Sequence, residues 1–205
     1  MMIDQIARDI AISRYGLAEC LHVPIAAVDE AAISTYIGDV QRVLSGGTTR
    51  KALLVQAKPP PPRDPCFPIW DEAGCDILHR PMQVWVDVNY TRYRRAYRSA
   101  FPDEQLGENI LSHTMNRRVA VLKGFRFVRL TPTSRAANSS SAFSENWGVA
   151  LHSMPGQMEA NRRRGAFIQY ADLTELMLML DMRLGGGVMD AVNEGQWLIR
   201  PRTVR

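Results

Sequence analysis

With 205 residues, 46% of them apolar and 22% charged, the chain has the composition of a folded globular protein of one medium domain, or a core with an appendage, and not that of a disordered polymer. Its net charge of +4 conceals a division: residues 1–89 carry 8 basic and 11 acidic side chains, whereas residues 90–170 carry 13 basic and 5 acidic ones. No run approaches the roughly 18 apolar residues of a membrane span, and Asp4, Arg8 and Asp9 interrupt the apolar stretch that a secretion signal needs, so a cytoplasmic protein is expected.

In chain order, residues 3–15 and 17–44 read as helices, with Ile3, Ile6, Ala7 and Ile10, then Ile33, Tyr36, Ile37, Val40 and Leu44, at helical spacing. Gly46 and Gly47 would stop the second. The run Leu17-Ala18-Glu19-Cys20-Leu21-His22-Val23-Pro24, followed by Val28 and Ala31, resembles the helix-turn-helix pattern of small repressor domains. In that resemblance Pro24 opens the second helix, although Asp29 and Glu30 would be unwelcome on a helix that enters a major groove. The alternative is a plain helical hairpin that packs on the core or on a partner subunit.

Residues 58–68, Lys-Pro-Pro-Pro-Pro-Arg-Asp-Pro-Cys-Phe-Pro, can form neither a helix nor a central strand, because proline lacks the amide donor. They predict a polyproline linker between a helical appendage, residues 1–57, and a mixed main domain, residues 69–205; a strap across one domain would have the same sequence. Homo-oligomer or partner contacts through the N-terminal helices and the proline-rich run are a further expectation. Cys20, Cys66 and Cys75 lack CxxC spacing, so neither a disulfide framework nor a zinc ribbon is expected.

Beyond the linker, residues 82–88 and 125–130 read as strands, and the fold class is α+β. Between them residues 90–100 have a helical pattern that places Tyr90, Tyr93 and Tyr97 on one face, with Arg92, Arg94, Arg95 and Arg98 interleaved. Such tyrosines either stack on bases while the arginines hold phosphates, or form a core face with the arginines in water. Residues 114–123 read as a helix stopped by Gly124. Asp172 and Glu175 form a capping signal ahead of a stripe of Leu173, Leu176, Met177, Leu180 and Leu184, and Gly185-Gly186-Gly187 follow as a turn before another helix at 188–194.

Of the 25 basic residues 22 are arginines, whose planar fork suits bidentate phosphate contacts. Arg94, Arg95, Arg98, Arg117, Arg118, Arg135, Arg162, Arg163 and Arg164 are the candidate nucleic-acid contacts. Neither GxSxG, GxxxxGK[ST] nor a dinucleotide fingerprint occurs, which removes the commonest hydrolase, NTPase and dehydrogenase classes.

The segment Leu111-Ser112-His113-Thr114-Met115-Asn116-Arg117-Arg118, with Asn138, Asn146 and His152 downstream, loosely resembles the HNH, or ββα-metal, nucleases over about 40 residues. That resemblance implies a metal-dependent phosphodiesterase in which His113 deprotonates water and Asn138 orients it. Asn146 or His152 would help to hold a hard cation such as Mg²⁺. Ser112 departs from the pattern, since the family has Asp or His there as its first metal ligand, so binding without turnover is the companion expectation. A structural or assembly role in a phage particle or a nucleoprotein complex is the alternative of another class. The remaining histidines, His22 and His79, are expected to be structural.

Overall fold

The computed structural model describes residues 23–46, 50–59, 78–171, 173–179 and 181. Its strands are β1 (Pro24–Ala27), β2 (Gly38–Gly46), β3 (Lys51–Ala57), β4 (Met82–Asp87), β5 (Ile110–His113), β6 (Phe127–Thr133) and β7 (Ile168–Tyr170). Its helices are α1 (Glu30–Ala32), which runs on into a π-helical turn at Ile33–Ile37, α2 (Tyr93–Ala100), α3 (Arg117–Lys123), α4 (Arg135–Ser140), α5 (Ala142–His152), α6 (Pro155–Arg164) and α7 (Leu173–Met179). Both classes of element are present, as an α+β fold requires. No helix among the described residues is long and apolar enough to cross a membrane.

The strands form one sheet in the order β2-β3-β4-β6-β1-β7, with β5 also paired to β6, and every pairing is antiparallel. Strands β1, β2 and β3 are thus built into the same sheet as β4, β6 and β7. The long strand β6 organises the centre. One of its edges meets β4 at Phe127–Arg129, and the other meets β1 at Phe127 and Val128, then β5 from Leu130 to Thr133. The β4–β6 register ends at Trp85↔Arg129, so the first residues of β4 and the last of β6 diverge. Pro132 has no amide hydrogen to offer in that stretch.

Strand alternation sorts the core onto the two faces of the sheet. Ala27, Leu53, Val55, Trp85 and Phe127 pack under Ala32, Ile33 and Ile37 of the helical turn. On the other face Ala26, Ala52, Leu54, Val84, Val86, Val128 and Leu130 meet Ala96 and Tyr97 of α2, Val119 and Ala120 of α3, and Leu176 and Met179 of α7. Full burial of each large apolar side chain contributes on the order of 1.5–3 kcal/mol.

The helix expected at 17–44 is not found over its described part, which forms β1, a helical turn and most of β2. Pro24 opens a strand and not a recognition helix. Asp29 caps the turn by accepting a hydrogen bond from the Ala32 amide at 2.7 Å, and Glu30 pairs with Lys51 at 2.8 Å. Gly38 starts β2 where a β-carbon would lie 2.0 Å from the Gln56 carbonyl oxygen, so only glycine fits. Irregularities in register between Val40 and Arg42 and between Val43 and Ser45 then break the alternation of β2, leaving apolar residues at helix-like spacing.

Other boundaries shift by a few residues. The strand expected at 82–88 is β4, and that at 125–130 is β6, displaced to 127–133. The helix expected at 90–100 begins only at Tyr93, because the Tyr90 amide closes a turn on the Asp87 carbonyl at 2.8 Å. The helix expected from Thr114 begins at Arg117, since the Asn116 side chain accepts from the Arg118 and Val119 amides at 2.9 and 3.4 Å. Gly124 ends it at φ 86°, in the left-handed region anticipated for a glycine there. The helix expected at 3–15, His22, the three cysteines, residues 60–68 of the proline-rich run, and Gly185–Gly187 with the helix at 188–194 lie outside the described residues.

Candidate functional site

Strand β5 carries the segment that resembles a nuclease, and its alternation decides what each side chain meets. Ser112 and His113 are neighbours in sequence and therefore project to opposite faces. The Ser112 hydroxyl donates to Asn138 Oδ1 at 2.8 Å, tying α4 to the strand. His113 instead sets its ring edge-on to Tyr93 of α2, with centroids 4.6 Å apart. The structure therefore brings Asn138 to Ser112, and His113 to Tyr93 and Arg117.

Burial, aided by the positive charge of Arg117, lowers the His113 pKa from 6.5 to about 4. Its Nε2 is buried without a hydrogen-bond partner. At neutral pH the imidazole is uncharged, and a nitrogen so weakly basic and so shielded takes a proton from water poorly. Asn146 and His152 sit six residues apart on α5, about one and two thirds turns of helix. Asn146 is exposed and His152 buried, so the two do not converge on one cation. Among the described residues no three His, Cys, Asp or Glu side chains come together as metal ligands.

The arginines are arranged by helix α2. Arg94 and Arg98 lie on its outer face, Arg95 on a second with Arg92 at the N-cap before it, and Tyr93 and Tyr97 on the third, which turns to the sheet. Tyr90 and Tyr97 are buried in the core, and only Tyr93 reaches the surface in part. Arg94 lies with its guanidinium 5.7 Å from the Tyr93 ring centroid. Arg94, Arg95, Arg98, Arg117, Arg118 and Arg135 are exposed, and none enters the three ion pairs among the described residues. Arg162, Arg163 and Arg164 fall in α6, and their side chains are not among those described.

A hollow of about 360 Å³, mostly apolar in its lining, opens where β4 and β6 diverge. Here the Tyr97 hydroxyl donates to Glu104 Oε1 at 2.9 Å and accepts from Arg80 at 2.8 Å, while Arg80 and Glu104 form an ion pair. Burial alone would raise the Glu104 pKa, but the hydrogen bonds from Arg80 and Tyr97 outweigh it and hold the carboxyl below its ordinary value. Burial raises that of Tyr97. Arg129 lines the same hollow, fully buried, and donates to the Leu78 carbonyl at 2.8 Å. Its one sequence signal is a charge inside the apolar run Phe127-Val128-Arg129-Leu130. A second hollow lies between the β2–β3 hairpin and α2, lined in part by Arg50, Arg92 and Arg95.

Compared with known proteins, the chain matches no family model, no curated protein and no solved structure.

Proposed function

We propose that the protein binds nucleic acid on the surface where α2, the end of β5 and the start of α3 meet. One observation carries this: the Tyr93–His113 ring pair is flanked by Arg94 and Arg117, neither of them in an ion pair among the described residues. Aromatic faces suit unstacked bases, and neighbouring guanidiniums suit the phosphates between them. Arg98 and Arg118 extend the positive surface along their helices. The uncharged His113 ring, turned away from Asn138, favours binding over the metal-dependent hydrolysis that the HNH resemblance implies.

Anisotropy titrations of labelled single- and double-stranded oligonucleotides across a salt series test the proposal. Binding should weaken steeply with salt, and R94Q/R117Q should lose about tenfold in affinity with a shallower salt slope. A double variant that binds like the parent would sink the idea. Plasmid incubated with Mg²⁺ or Mn²⁺ should remain intact; cleavage that disappears in His113→Ala would restore the phosphodiesterase reading.

A second reading, a structural component of an assembly, is favoured by Tyr36 and Phe167. These rings stack with centroids 5.8 Å apart, and each is more than half exposed. Light scattering on the parent and on Y36S/F167S tests it. Assembly through this patch predicts a large species that the variant loses.

A further inference from the structure

The hollow between the β2–β3 hairpin and α2 encloses about 540 Å³, and its polar lining includes Ser45, Arg50, Asn89, Arg92, Arg95 and Ser99. Three arginines line it, and among the described residues no Asp or Glu does. None of the three arginines takes part in an ion pair among the described residues. The first turn of α2 adds no acidic residue. Like charges that border one concavity repel one another, and an oxyanion seated between them relieves that repulsion.

The convergence is built into the fold. Arg95 and Ser99 share one face of α2, Arg92 sits at its N-cap, and Arg50 lies across the hollow just before β3. The walls are tied together: the Ser45 and Tyr90 hydroxyls hydrogen-bond to each other, and Arg42 donates to the Ser99 carbonyl at 2.9 Å. Tyr90, buried at 6% exposure, anchors the loop that leads into α2. A concavity of this volume is of the size that takes small organic ligands and far exceeds a bare oxyanion.

We propose that this hollow is a phosphate-binding pocket with Arg50, Arg92 and Arg95 as its ligands, and that the phosphate is carried by a nucleotide or by the end of a nucleic-acid strand. The pocket lies on a different face of α2 from the Tyr93–His113 pair, and its affinity for phosphate does not depend on that surface.

Calorimetric titration with pyrophosphate and with ADP, beside anisotropy with 5′-phosphorylated and 5′-hydroxyl oligonucleotides, tests it. Pyrophosphate should bind the parent protein, and Arg50→Gln or Arg95→Gln should weaken it about tenfold, the loss expected for one charge-assisted contact. Lys123→Gln removes a charge that does not line the hollow and should leave it unchanged. A preference for the 5′-phosphorylated strand that vanishes in Arg95→Gln identifies a strand end as the source; tight ADP binding without that preference identifies a free nucleotide. Failure of pyrophosphate and ADP to bind, or equal affinity in the parent and both arginine variants, overturns the pocket. Because R94Q/R117Q addresses the other surface, the two proposals fail separately.

Discussion

A proton on His113 would place a charge beside Arg117, against the Tyr93 ring, with Nε2 out of reach of water. The folded ring resists protonation down to about pH 4, whereas an unfolded imidazole takes its proton near pH 6.5. The folded state therefore loses stability as pH falls from 6.5 toward 4 and keeps it above that window. At pH 4.5 the loss from this residue should be about 2 kcal/mol. His113→Phe retains a ring against Tyr93 and removes the titration, so urea unfolding at pH 7 and pH 4.5 should show a smaller acid penalty in the variant. An identical penalty in both proteins would refute the assignment. The histidine was visible in the sequence as a candidate; its pairing with Tyr93 was not, because twenty residues and a turn separate them. Arg129 was hidden in the same way, since the Leu78 carbonyl that receives its hydrogen bond lies 51 positions earlier.

Among the elements, the ones read correctly are those whose signals are local. Gly124 stops α3 because a left-handed residue is needed there, and the apolar run at Val84–Val86 sits in a central strand whose neighbours cover it. Strand β2 was misread because its irregular register mimics helical spacing, which no local propensity reveals. Its first residue offers a sharp test. Gly38→Ala pushes a β-carbon into the Gln56 carbonyl and should cost at least ~2 kcal/mol in denaturant unfolding, through backbone displacement at the β2–β3 pairing. A variant as stable as the parent would mean that the strands do not approach this closely.

At the scale of the whole molecule, the division between an acidic first part and a basic middle was legible as composition, yet it does not divide the sheet. Strands β1, β2, β3 and β4 come from the acidic part and supply core residues on both faces. A fragment of residues 69–205 would leave one edge of β4 and the Phe127–Val128 edge of β6 unpaired. Such a fragment should show no cooperative thermal transition by circular dichroism, whereas the full chain should. A sigmoidal melt of the fragment would establish an independent domain there. The layout escaped the sequence because sheet order depends on pairings between distant segments, which periodicity does not encode.

The position of β1 bears on the moment of synthesis. Its neighbours are β6 and β7, so Ala26 must wait for Val128, translated about a hundred residues later. Until then Ile25 and Ala26 emerge from the ribosome without the strands that flank β1, and closure of so long a loop makes folding slow. A nascent chain arrested ahead of Phe127 should accordingly be held by chaperones and cut readily by protease, and should become resistant only once Tyr170 is free of the exit tunnel.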